Sequence, residues 1–132
     1  QSGKNLERTA NLQEAWAKVT GGQARFPMAG VVMPQKLVDS NQALVAGVLN
    51  ELEEAVAKVN ALDEKAVAAI TAKTEVPEAV VKNVIPRLQL EMVPAQKAKT
   101  ELEDFYTRLT TLSPDIVGGT MPADDFYLAD PR

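Results

Sequence analysis

Carboxylate side chains are the groups in this sequence best suited to chemistry, and some of them form three clusters. Two clusters, at 51–54 and 101–104, lie in segments with helical periodicity, and the third is the adjacent pair Asp124 and Asp125. Such groups could serve as general acids and bases or bind Ca²⁺ or Mg²⁺. A charged face is also the ordinary solvent side of an amphipathic helix, and two adjacent acids offer too few ligands for a metal. We therefore predict no catalytic residue and no metal site.

Histidine and cysteine are both absent from the 132 residues. A Ser-His-Asp or Cys-His arrangement cannot be built from this sequence, and neither can a disulfide or a thiolate. The pair Gly118 and Gly119 lacks the strand and helix that flank a phosphate-binding loop, so we interpret it as a turn. The sequence thus predicts no cofactor, and we expect no enzymatic activity.

Three other features are candidates for ligand contact. Trp16 could line a cleft, but it shares one helical stripe with Leu12 and Val19 and is therefore interpreted as core. Arg87 could reach an anion, although a cation at this place also stabilises the end of the preceding helix. The aromatic pair at 126–127 is predicted to anchor the C-terminal segment by burying its rings. The ligand-binding residues remain unassigned.

Charge is spread evenly along the chain. The formal net charge is -4, from 14 basic and 18 acidic residues, and no basic cluster is present. This distribution argues against nucleic acid and against an anionic membrane surface as partners. No apolar run approaches the roughly 20 residues that a membrane-spanning helix requires.

The elements that would position these groups are mostly helices. The apolar run Met28–Met33, between Pro27 and Pro34, predicts a short buried strand, and the alternation at 88–92 predicts a second extended segment. Asp39 or Ser40 is expected to cap the long helix that follows the run. The helical stripes are predicted to bury Val45, Val48, Leu52, Val56 and Val59, then Val67 and Ile70, then Val80, Val81, Val84 and Ile85, and finally Ala98, Leu102, Phe105, Leu109 and Leu112. Helices are predicted at 6–19, 35–38, 41–60, 64–73, 77–85 and 94–112.

Six collinear segments resemble the substrate-binding proteins of ABC importers, in the nitrate, sulfonate and taurine group. The match is to the second half of those proteins. The segments are LQEAWAKVTGG at 12–22, PMAGVV at 27–32, VNA at 59–61, EVPEAVV at 75–81, IPR at 85–87 and IVGGTMPADDFY at 116–127, and Asn41 matches the residue near which the long helix of those proteins begins.

The resemblance implies a fold and a role. The expected fold class is mainly α with one or two short β-strands, the C-terminal part of a two-lobed α/β periplasmic-binding-protein fold. Residues 1–132 would form a single partial domain, with 115–132 as an irregular arm. The chain would help to capture a small solute for an ABC permease, in the periplasm or anchored at the cell surface as a lipoprotein. An apolar surface left by a missing half would favour self-association.

Two other functions stay open at this point. The same fold occurs in enzymes that synthesise the pyrimidine precursor of thiamine, and this chain would then be a fragment of such an enzyme. Alternatively, the long amphipathic helices form an independent helical module for protein interaction. The state of Met28–Met33 distinguishes the module from the importer protein, since a strand in a sheet is expected only in the latter.

Overall fold

The protein is described here by a computed structural model covering residues 9–132. In this range the chain forms six α-helices: α1 (Leu12–Thr20), α2 (Gln35–Ser40), α3 (Gln42–Asn60), α4 (Glu64–Thr74), α5 (Glu78–Leu88) and α6 (Ala95–Leu112). Two 3₁₀ turns follow, Pro114–Val117 and Asp124–Phe126, within the arm predicted to be irregular. The predicted start of the first helix at Leu6 lies outside the described residues.

The predicted fold class is wrong for the described residues. Between residues 9 and 132 there is no β-strand, and neither Met28–Met33 nor the segment 88–92 joins a ladder. A strand is stabilised by hydrogen bonds to a neighbouring strand, and this part of the chain provides none for the apolar run. The two-lobed α/β architecture with one or two strands is therefore replaced by an entirely helical one over 9–132.

The chain divides into two compact units, and the first contains residues 33–93 and 131–132. Here α4 and α5 pack on each other, and α3 contacts both. The core centres on three buried side chains, Val67, Val81 and Ile85. Around them lie the partly buried side chains of Val59, Leu62, Ile70 and Val76. On α3, Val45 is buried as predicted, and Leu49, one turn later, is buried although the predicted stripe omitted it.

Local signals explain most helix ends in this unit. Asn41, rather than Asp39 or Ser40, caps α3 by accepting from the amide of Leu44. Asp63 caps α4 as predicted, because its carboxylate accepts from two amides of the first turn. Pro86, expected to end α5, lies inside it, and the helix continues to Leu88. The segment after α5 is held by the side-chain amide of Asn60, which donates to the carbonyl of residue 90 at 2.8 Å.

The second unit contains residues 9–32 and 94–130. Pro94 precedes α6 as predicted, and α6 packs on the 3₁₀ turn Pro114–Val117. The predicted stripes are wrong at three positions, because Leu12, Val19 and Leu112 are each more than 70% exposed. Each lies in the first or last two residues of its helix, where the apolar stripe extends beyond its packing neighbour. In α5 of the first unit, the predicted stripe is also wrong at Val84, which lies inside the helix but is 37% exposed.

Candidate functional site

The first carboxylate cluster lies on α3 and is engaged in ion pairs. Glu54 pairs with Lys58 one turn later at 2.6 Å, and this contact lowers the pKa of the Glu54 carboxyl. Glu53 accepts from the guanidinium of Arg132 at 2.7 Å. The Glu54–Lys58 pair connects two exposed side chains and therefore contributes little to stability. The arrangement is that of a solvated helix face, as the sequence predicted.

The second cluster lies on α6 and is also ion-paired. Asp104 accepts from Arg108 at 2.8 Å, and Glu101 accepts from Arg25 at 2.6 Å. Among the described residues, no group of three or more acidic, histidine or cysteine side chains is placed to hold a metal ion. The structure thus disperses these carboxylates among basic partners instead of converging them on one point.

The C-terminal arm is attached to α6 by polar contacts at two neighbouring positions. Lys99 forms an ion pair with Asp124, which lowers the pKa of the Asp124 carboxyl through the hydrogen bond from the ammonium group. One turn earlier on α6, the side-chain amide of Gln96 donates to the main-chain carbonyl of Tyr127 at 2.5 Å. The ammonium of Lys99 also lies 5.4 Å from the centre of the Tyr127 ring. Asp124, considered above as a metal ligand, is therefore part of this attachment.

Tyr127 is the most deeply buried side chain of the second unit. It is 2% exposed, whereas its neighbour Phe126 is 53% exposed and touches it edge-on at 5.3 Å. Of the aromatic pair predicted to anchor the arm, only Tyr127 does so by burial. Its hydroxyl makes no hydrogen bond within the described part of the chain, and burial raises the pKa of the phenol.

Trp16 belongs to an aromatic cluster instead of an open cleft. Its ring centre lies 5.7 Å from that of Phe26 and 5.6 Å from that of Phe105. The guanidinium of Arg108 lies over the indole at 5.6 Å, an arrangement typical of a cation–π contact. Trp16 is half-buried in this cluster, which agrees with its interpretation as a packing residue.

Arg87 lies at a helix end and the pair Gly118 and Gly119 lies in a turn, as their structural interpretations predicted. Arg87 lies exposed in the last turn of α5, where a cation is favourable to the helix dipole. Gly118 and Gly119 both have positive φ angles, 73° and 86°, in the turn after Pro114–Val117. An L-residue with a side chain would be strained in that conformation.

The apolar run Met28–Met33 was predicted to be a buried strand, and its exposure to solvent was not foreseen. Val31 is 58% exposed, while Met28 and Val32 are 77% and 80% exposed. A Cβ placed on Gly30 would meet no atom within 4 Å. No hydrogen bond is made by the backbone of this run in the described chain. The prediction that this run is buried is therefore wrong, because it joins no ladder and most of its apolar side chains lie in solvent.

None of the helices within residues 9–132 has the length and apolar character that crossing a membrane demands. No protein-family model matches the sequence, and neither a curated protein nor a solved structure matches it.

Proposed function

We propose that this chain is the C-terminal portion of a binding protein that captures a small solute and delivers it to an ABC import permease. The proposal rests on the six collinear segments that resemble the nitrate, sulfonate and taurine group. It places the protein in the periplasm or at the cell surface. No bond is made or broken in this role, since the solute is bound and released unchanged.

The observation that carries the proposal is the structural position of the matching residues. They lie where helices begin, end or are attached. Gly21 ends α1 with a left-handed conformation, Asn41 caps α3, and Pro77 directly precedes α5. Gly118 forms the turn of the arm, and Tyr127 anchors it. Residues with such roles determine where helices begin and end, so their occurrence in the same order as in those proteins supports the resemblance, although the strand of those proteins is not formed here.

The mechanism follows from that proposal. In the binding proteins that this chain resembles, a solute lies between two lobes, and its binding shifts the population from an open to a closed form. The permease then recognises the closed form. This chain would supply packed helices, and loops outside it would supply many of the solute contacts. We therefore expect weak or no solute binding by residues 1–132 alone.

A binding experiment on the product of the complete open reading frame tests the proposal. Isothermal titration with nitrate, taurine, other sulfonates and pyrimidines should reveal one solute that binds with one-to-one stoichiometry. The same protein should not consume that solute over long incubation. Residues 1–132 expressed alone provide the matched control and should not bind it. Absence of binding to every solute, or conversion of a solute into product, would refute the proposal.

A second function, that of a helical interaction module, is favoured by one observation. The described residues contain helices and no strand, which is the outcome expected for the module. Capture of a protein partner by the complete gene product, without binding of any of the solutes above, would support the module and reject the importer role.

A further inference from the structure

Residues 120–127 of the C-terminal arm form a segment that we call the strap, and it lies wholly within the second unit. Tyr127 is its only buried side chain, and all the others are exposed except the half-buried Pro122. Two backbone hydrogen bonds begin at strap amides, those of residues 126 and 127, and both end on strap carbonyls. The strap therefore keeps its own backbone bonds when it separates from α6.

The strap is attached to α6 at one turn of that helix. Gln96 donates to the main-chain carbonyl of Tyr127 at 2.5 Å. Lys99, three residues later, pairs with Asp124 and lies 5.4 Å from the centre of the Tyr127 ring. Because both attachment points on the strap lie within four residues, loss of one contact loosens the other. We therefore expect the strap to dock and separate as one unit.

Lys99 has a second carboxylate within reach on its own helix. Its ammonium lies 2.5 Å from Asp124 and 3.9 Å from Glu103, which is four residues further along α6. Residues at this spacing face each other on a helix surface and can form an ion pair. Lys99 is only 27% exposed, so an unpaired ammonium there would be costly. Glu103 removes that cost when Asp124 leaves.

Tyr127 contributes to docking with two opposed effects. Burial of its ring favours the docked strap. Its hydroxyl makes no hydrogen bond in the described chain, and separation would return it to water. The cost of a buried group without a partner is similar in size to the gain from burying one apolar side chain. The docked strap is therefore favoured by a small margin.

We propose that the strap is a conformational latch that alternates between a docked and a released form while α6 stays folded. It turns on the glycine pair at 118–119, whose backbone is the most permissive part of the arm. Lys99 transfers from Asp124 to Glu103 on release. The released form exposes Tyr127 and the turn of α6 that carries Gln96 and Lys99, and it makes up about 1–10% of the folded chain.

Nuclear magnetic resonance relaxation dispersion on residues 1–132 measures this population. Signals from 120–127 and from the α6 turn around Lys99 should share one exchange rate and one minor population. The indole signal of Trp16, in the same unit, should not share that rate. Absence of exchange in the strap would overturn the proposal, as would an exchange rate that Trp16 shares, because the whole unit would then be unfolding.

Three carboxylate variants test the transfer of Lys99. Asp124→Asn removes the docked partner and should raise the released population about twofold or more. Glu103→Gln removes the partner in the released form and should lower that population about twofold. Asp125 is exposed and makes no ion pair in the described chain, so Asp125→Asn is the matched control and should change nothing. Equal responses at 124 and 125, or a rise caused by Glu103→Gln, would refute the transfer.

Tyr127→Phe tests the contribution of the hydroxyl. This variant keeps the buried ring and removes the group that gains water on release, so the released population should fall about fivefold. The chemical shifts of the major form should match those of the parent chain outside the immediate surroundings of residue 127. An unchanged or larger released population in a variant with such a spectrum would overturn the role of Tyr127 in the latch.

Discussion

The hydroxyl of Tyr127 permits a sharp test of the structure. The side chain is 2% exposed, and its oxygen has no hydrogen-bond partner in the described chain. A buried polar group without a partner costs about 1–3 kcal/mol of stability. Tyr127→Phe keeps the ring and removes that group, so it should raise the free energy of unfolding by about 1 kcal/mol. Most single substitutions destabilise, which makes an increase informative.

Tyr127→Ala provides the opposite perturbation at the same position. It removes the buried ring but keeps the main-chain carbonyl that accepts from Gln96. Loss of a buried aromatic side chain typically costs about 3–5 kcal/mol. The two variants should therefore change stability in opposite directions, with the ring contributing far more than the hydroxyl.

Urea denaturation followed by the fluorescence of Trp16 measures these changes. Trp16 is the single tryptophan and lies in the same unit as Tyr127. Phe126→Ala is a suitable control, because that ring is 53% exposed and its removal should cost much less than Tyr127→Ala. If Tyr127→Phe lowers stability by about 1 kcal/mol, the hydroxyl is hydrogen-bonded in solution and the reasoning fails.

Two further predictions concern a helix end and an ion pair. Glu75 ends α4 with a left-handed φ of 57°, so Glu75→Gly should stabilise the chain by about 0.5–1 kcal/mol in thermal denaturation, while Glu75→Ala should not. The Asp124 carboxyl has a lowered pKa, so its contribution to stability is complete above the ordinary aspartate pKa of about 3.9 and disappears as the pH falls through the lower folded-state value. Carbon-detected NMR titration should give a midpoint for Asp124 below that ordinary value, and Lys99→Ala should return it to the ordinary range. A midpoint that is unaffected by Lys99→Ala would show that another group causes the shift.

Local features of this chain were predictable, because the physical causes lie within a few residues. Asp63 stands directly before the periodic stripe of α4, and a short carboxylate there accepts from the amides at the helix start. Pro94 precedes α6 for a related reason, since proline fits a helix start and disfavours a helical conformation before it. The glycine turn at 118–119 was recognised because positive φ angles favour glycine.

Other features depend on contacts that periodicity does not encode. A stripe predicts which face of a helix is apolar, but not how far a neighbour covers it, so Leu12, Val19 and Leu112 lie on predicted apolar stripes and yet are exposed. The attachment of the arm joins Gln96 to Tyr127 across 31 positions of sequence, and no local pattern indicates that pairing. The strand prediction failed for the same reason, because β-structure requires a partner that the apolar run itself cannot specify.

The exposure of the apolar run Met28–Met33 is one instance of a wider feature of the chain, namely that few of its apolar side chains are fully buried. Among the described residues, only six hydrophobic side chains are buried, while thirteen large ones remain exposed. Burial of apolar surface is the main source of folding free energy, so a chain with this ratio has much of its apolar surface unused. Val31 and Val32 differ from the exposed leucines at helix ends because their backbone is unpaired as well. A partner that covers this run therefore gains two contributions at once, apolar burial and backbone hydrogen bonds, whereas one that covers Leu112 gains only the first.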